Sequence, residues 1–236
     1  MTRILLIHGA SHGAWCWRDT LPALTALGHE ARAIDLPSHG DDQTPVGKVT
    51  LNGYGQAILD ALSEPAVLVG HSMGGYAITQ AAEMSPANVA GLIYLCAYTP
   101  WEDLSLSQMR LQAAEQPLLP AIRPAADRLS FTFDPDMAPD LFYHDCPPET
   151  VRYAEARLCP QAVAPSTTPL TLTARSHSLP RSYIVCERDR AIPPDFQREM
   201  AARFDPGRVA TLDSGHSPFF AMPETLAATI DRLVKA

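Results

Sequence analysis

Short apolar runs alternate with stretches in which leucine and alanine return every three or four positions, and this alternation fills the first hundred residues. Ile4–Ile7 reads as a strand, and Asp19–Leu27 follows as a helix with Leu21, Leu24 and Leu27 on one face. Glu30–Ile34 is a weaker strand that ends at the turn-rich Asp35-Leu36-Pro37-Ser38-His39-Gly40. Leu51–Leu62 then reads as a helix, Ala66–Val69 as a strand, Gly74–Met84 as a helix and Val89–Leu95 as a strand. Strands and helices that alternate in this way predict a parallel sheet with crossover helices.

The rhythm breaks after position 97. From Tyr98 to Pro180 the apolar spacing is irregular, and the segment holds twelve of the chain's twenty-two prolines. Proline at that density predicts short helices and turns rather than sheet. The earlier rhythm then resumes, with strands at Arg181–Cys186 and Arg208–Leu212 and helices at Pro194–Phe204 and Pro223–Val234. The predicted architecture is one α/β core, residues 1–97 and 181–236, whose mostly parallel sheet has about six strands. A mainly helical cap, residues 98–180, is inserted into it.

Gly70-His71-Ser72-Met73-Gly74 lies between the strand at 66–69 and the helix at 74–84. Glycines on either side let a strand turn sharply into a helix with the serine hydroxyl held above the sheet, the geometry of a nucleophile elbow. In such a sheet the loops after the strands converge on one crevice. Four of them carry suitable chemistry: His8–Trp15, the elbow, Glu187–Pro193 and Asp213–Pro218. Read along the chain they offer an oxyanion loop, Ser72, a carboxylate and His216. That order, serine then acid then histidine, is the one α/β-hydrolases use. Asp189 is the favoured acid, with Glu187 and Asp213 as alternatives. Ser72 would attack an acyl carbonyl while His216 takes its proton, and the N–H groups of Ala10 and Met73 would receive the developing oxyanion. His8 reads as a residue that shapes its loop.

Composition narrows the field. At 236 residues the chain can bury a substantial core, and a formal net charge of -8 argues against non-specific nucleic-acid binding. No apolar run approaches the length of a membrane span, and Ile4–Ile7 is too short for a signal-peptide core, so no membrane partner and a cytoplasmic location are expected. The five cysteines are odd in number and widely spaced, which fits reduced thiols. His29, His39, His144 and His177 are scattered and form no ligand cluster, so neither a metal nor another cofactor is expected.

The loop His8-Gly9-Ala10-Ser11-His12-Gly13-Ala14-Trp15, the elbow Val69–Gly75 and the segment Tyr183–Pro193 closely resemble the α/β-hydrolase family that holds plant methylesterases, hydroxynitrile lyases and bacterial esterases. The resemblance spans nearly the whole chain, and Phe142-Tyr143-His144-Asp145-Cys146 is most similar to the bacterial branch. It implies that Asp189 is the triad acid and that relatives are often homodimers. It also separates two chemistries, because the lyases carry threonine, glutamate and lysine where this chain has Gly9, His71 and Ser217. A lyase needs a cation to hold leaving cyanide, and Ser217 supplies none. All three positions favour ester hydrolysis.

The expected partner is thus a small, hydrophobic ester, with hydroxynitrile lyase or a non-catalytic receptor as alternatives. Gly9 would leave room for the acyl group, and His12, Trp101, Phe131 and Phe142 would contact substrate. Leu104, Met109, Phe133 and Tyr143 are further candidates for an apolar roof or for the cap's own core.

Overall fold

The computed structural model describes all 236 residues, Met1–Ala236. Six parallel strands make the main sheet: β1 (Arg3–Ile7), β2 (Glu30–Ile34), β3 (Ala66–His71), β4 (Val89–Leu95), β8 (Arg181–Cys186) and β9 (Val209–Leu212). Three shorter ones, β5 (Ile122–Pro124), β6 (Ser130–Phe133) and β7 (Gln161–Ala162), lie between β4 and β8 in the chain. The number of main strands and their boundaries follow the apolar runs closely.

A sheet covered on both faces needs strands that are apolar on both sides. β3 is buried at every position and β1 at all but its first, whereas the edge strand β2 is half exposed. Alternate residues then feed two separate cores. Leu5, Ile7 and Leu68 face the helices Leu51–Asp60 and Gly74–Met84, in a cluster that includes Tyr54, Ile58, Ala77 and Ile78. Ile4, Leu6, Val67 and Val69 face Leu24 of the helix Thr20–Ala26 and Leu226, Ile230 and Leu233 of the helix Pro223–Lys235. None of the helices is long and apolar enough to cross a membrane.

Strand order across the sheet is β2-β1-β3-β4-β8-β9. The chain leaves β1 toward one edge, returns past it to β3, and builds outward toward the other edge. The order therefore reverses between β1 and β3, and open α/β sheets bind ligands beside the carboxyl ends of strands at such a point. The loop after β1 and the elbow after β3 flank that crevice.

The segment between β4 and β8 departs from its sequence reading in one respect. It holds the expected short helices, among them Leu106–Arg110, Ala138–Tyr143, Pro148–Glu155 and Val163–Thr167. It also holds an antiparallel sheet in the order β5-β6-β7, with Ile122 opposite Phe133 and Pro124 opposite Phe131. These strands have three, four and two residues, too few for a period-2 pattern to stand out among the prolines. Only Ser130-Phe131-Thr132-Phe133 alternates, with Thr132 exposed and both phenylalanines on the opposite face.

Candidate active site

β3 delivers Ser72 to the reversal point. The helix Gly74–Met84 begins two residues after Ser72, so the chain turns within Ser72 and Met73. Ser72 has a φ of 54°, in the left-handed region. Such a conformation costs a non-glycine residue roughly 1 kcal/mol or more and persists only where the surroundings impose it. Here Ser72 N–H donates to the Leu95 carbonyl at 3.2 Å, and the Ser72 carbonyl accepts from Gly75 N–H at 3.1 Å and Tyr98 N–H at 3.2 Å. The flanking positions have no room for a side chain. A Cβ on Gly70 would lie 2.6 Å from the Gly74 carbonyl oxygen, and one on Gly74 would lie 2.8 Å from that of His8.

Asp189 follows β8 and His216 follows β9, and the two meet. His216 Nδ1 donates to Asp189 Oδ2 at 2.7 Å, with both residues buried. Asp189 Oδ1 accepts from the N–H groups of Ala191 at 2.7 Å and Ile192 at 2.9 Å, and Oδ2 also accepts from Gln197 Nε2 at 2.8 Å. The carboxylate is thereby fixed on every side. The alternative acids turn elsewhere: Glu187 pairs with Arg198 at 2.5 Å, and Asp213 is exposed beside Arg188. The loop carrying His216 is pinned from outside the sheet, because Asp145 Oδ2 accepts Gly215 N–H at 2.6 Å. That contact gives the Phe142–Cys146 motif a physical role. An imidazole anchored through Nδ1 keeps Nε2 for proton transfer.

Ala10 and Met73 line the same cavity as Ser72 and His216. Neither the Ala10 nor the Met73 N–H donates to any carbonyl in the turns and loops, so both are available to an oxyanion. The loop before them is held by histidines. His8 Nε2 accepts Leu36 N–H at 3.0 Å, and its Nδ1 donates to the Gly9 carbonyl at 2.8 Å. His12 Nδ1 donates to the Ala10 carbonyl at 2.8 Å, while Tyr143 Oη donates to His12 Nε2 at 2.7 Å. Burial drives His12 down to about 4 and His8 well below the usual histidine range, so both are neutral at pH 7. His12 thus lines the cavity with its ring, both nitrogens already committed.

His71 is buried beside His216, their rings 4.6 Å apart, and its Nε2 donates to the His216 carbonyl at 2.8 Å. Ligand-type atoms of His71, Cys96 and His216 come within 4.8 Å of one another. Burial pushes the Cys96 thiol up, keeping it protonated, and its Sγ lies 3.5 Å from the His216 carbonyl. The trio is knit together by its own hydrogen bonds rather than arranged around a cation.

The cavity encloses about 640 Å³ of empty space, its open mouth included. Phe131 and Phe142, two of the residues expected to contact substrate, line it. Two predicted substrate contacts do not. Trp101 packs against Phe196, with ring centroids 5.9 Å apart and the Arg203 guanidinium 3.9 Å above its ring, away from the cavity lining. Gly9 is absent from the lining because its backbone lies against the elbow: a Cβ there would meet His71 Nδ1 at 2.8 Å and Ser72 Cβ at 3.0 Å. The space beside Gly9 is filled by the His71 ring, not left for an acyl group.

The sequence reading also missed contributors. Tyr98, Ser107, Arg110 and Ser166 line the cavity, and Gln197 braces Asp189. Nothing in local spacing marks them, since each reaches the site only through tertiary packing.

Residues 4–229 match the family model described as "Alpha/beta hydrolase family". The chain is 30% identical to methylesterase 7 of Arabidopsis thaliana, over 97% of this chain and 94% of that protein. It is 32% identical to a pyrethroid hydrolase of Sphingobium wenxiniae, over 98% of this chain and 86% of that protein. The crystal structure of a pyrethroid hydrolase from Sphingobium faniae JZ-2 superposes with a TM-score of 0.89 at 31% identity, covering 100% of this chain and 98% of that one.

Proposed function

The chain belongs to the alpha/beta hydrolase family and has its fold, and on that premise we propose that it is a serine esterase acting on small hydrophobic carboxylic esters. The observation that carries this reading is the buried 2.7 Å bond from His216 Nδ1 to Asp189 Oδ2, beside a cavity that Ser72 also lines.

In this mechanism His216 Nε2 takes the Ser72 proton as Oγ attacks the ester carbonyl. The oxyanion forms against the Ala10 and Met73 N–H groups, and donors of this kind are worth about 2.7–4 kcal/mol each in the transition state. The imidazolium, stabilised by Asp189, then protonates the leaving alkoxide. Water attacks the acyl-enzyme by the same route and releases the acid. Residues 98–180 act as a cap whose Phe131 and Phe142 roof the acyl site.

The lyase alternative loses support at Gly9 and His71. A threonine at position 9 cannot coexist with the His71 ring as it stands, and Ser217 is buried without charge. A cytoplasmic location and a homodimer belong to the same proposal. The first is supported by five free cysteines, and sedimentation tests the second.

The decisive experiment is Ser72→Ala on p-nitrophenyl butyrate, with wild type alongside. A fall in kcat of about 10⁴-fold or more is expected. Turnover by Ser72→Ala at the wild-type rate would sink the proposal.

A further inference from the structure

One side chain in the cavity wall has no business in an apolar pocket. Arg110 ends the short helix Leu106–Arg110 and is the only lysine or arginine lining the cavity, where no aspartate or glutamate lines it. Its guanidinium makes no ion pair or side-chain hydrogen bond, and Nη1 is shut off from solvent without a partner. Six other arginines pair with carboxylates and the rest keep their nitrogens in water or partnered, so Arg110 is the one lysine or arginine with a side-chain nitrogen both out of water and unpartnered. In a chain with 26 acidic and 18 basic residues, a half-buried arginine with a nitrogen out of water and unpaired calls for a reason.

Its placement is fixed rather than incidental. The helix is capped at its start by Ser105 and Gln108, each bonded to the other's backbone. At its end Gln116 Nε2 donates to the Arg110 carbonyl at 2.8 Å and to that of Ala113 at 2.9 Å. Ser107, on the same helix, and Ser166, on the neighbouring helix Val163–Thr167, also line the cavity and make no side-chain hydrogen bonds of their own. Arg110 further pulls down the ionisation of Tyr98, another lining residue, against the rise that burial causes.

We infer that Arg110 is the anchor for a second, anionic group on the substrate, and that the preferred esters carry a free carboxylate remote from the bond being cleaved. A guanidinium offers a planar fork that matches a carboxylate with two parallel hydrogen bonds. Ser107 and Ser166 supply further donors beside it. Half-esters of dicarboxylic acids are the simplest members of this class. The inference rests on the esterase reading for the reaction, but not for binding.

The test compares monomethyl esters of the dicarboxylic acids from succinate to suberate with the unbranched methyl esters of equal chain length. The quantity read is the ratio of kcat/KM, charged over neutral, so that any general loss of activity cancels. Wild type should favour the best-fitting half-ester by about tenfold or more, the scale of a charged hydrogen bond, and mainly through KM. Arg110→Met should collapse that ratio, and Arg110→Lys should restore part of it. A binding arm needs no turnover: adipate should raise the melting temperature of wild type and not of Arg110→Met. The inference is overturned if no half-ester outperforms its neutral counterpart, or if the preference survives Arg110→Met. A structural role, for instance toward the unpartnered Gln116 Oε1, would lower the melting temperature of Arg110→Met and leave the ratio intact. If wild type fails on p-nitrophenyl butyrate while adipate still stabilises it through Arg110, the esterase reading falls and the anion site stands.

Discussion

The two walls of the cavity are built by opposite rules. On the sheet side the groups that hold the loops are committed: Asp189 accepts four hydrogen bonds, His8 and His12 use both ring nitrogens, and the His216 carbonyl is held by His71, while the Ala10 and Met73 N–H groups stay free among them. On the opposite side, between β4 and β8, phenylalanines and leucines dominate, and the polar exceptions Ser107, Arg110 and Ser166 are uncommitted. A wall braced by this many hydrogen bonds holds its atoms in place, its two free N–H groups included, which suits a reaction that must be pre-organised. A wall with spare donors is shaped to receive something. The difference teaches where to look for each property: rate on the sheet side, selectivity on the other.

The strongest challenge to that division is Asp189→Asn. An asparagine turned with its oxygen toward Ala191 and Ile192 presents its NH₂ to two donors, Gln197 Nε2 and His216 Nδ1–H. Turned the other way, it presents the NH₂ to the two backbone N–H groups. Either orientation strands donors inside a buried site, and the first also favours the wrong His216 tautomer. The expected loss in kcat on p-nitrophenyl butyrate is about 10⁴-fold, with the fold retained by circular dichroism. A loss below tenfold would show that the sheet-side network does not set the rate.

The same division governs what the sequence could reveal. The six main strands were readable because a sheet buried on both faces writes itself into the chain as continuous apolar runs such as Val67-Leu68-Val69. Ser72, Asp189 and His216 were readable because each follows a strand, and strand ends converge by topology alone. The other wall has no such grammar. Trp101 and Phe131 look alike in sequence, yet one packs outward against Phe196 and the other lines the cavity. Arg110 carries no local signal, and only the fold brings it into the cavity wall. Gly9 lies in the loop after β1, where its missing side chain makes room for the His71 ring rather than for substrate.

Acid should expose the sheet-side wall next. Burial lowers the pKa of His8, His12, His39 and His71 in the folded protein, so each binds fewer protons there than when unfolded. Above the unfolded value near 6.5 both states are neutral and nothing is lost. As pH falls below it the unfolded chain gains protons that the folded chain refuses, so stability declines down to the folded values. For His12, at about 4, the loss is about 2 kcal/mol by pH 5. Urea unfolding at pH 7.5, 6 and 5 should show a steep decline, and His12→Gln should flatten it. A midpoint unchanged from pH 7.5 to pH 5 would mean that these histidines are not held neutral.

The smallest expected effect separates two aromatic residues of the β4–β8 segment. Phe131 reaches the cavity from β6, with its ring 5.5 Å from that of Phe133. Phe131→Leu removes part of the surface that would cover an acyl chain, worth about 1 kcal/mol, so KM for p-nitrophenyl butyrate should rise several-fold with kcat little changed. Trp101→Leu removes the contact with Phe196 and the stacked Arg203, the latter worth about 0.5–1 kcal/mol at a partly exposed site. It should lower the melting temperature by a few degrees and leave KM where it was. If Trp101→Leu shifts KM as much as Phe131→Leu does, the side chain at 101 reaches substrate after all, and the boundary of the selective wall must be redrawn to include it.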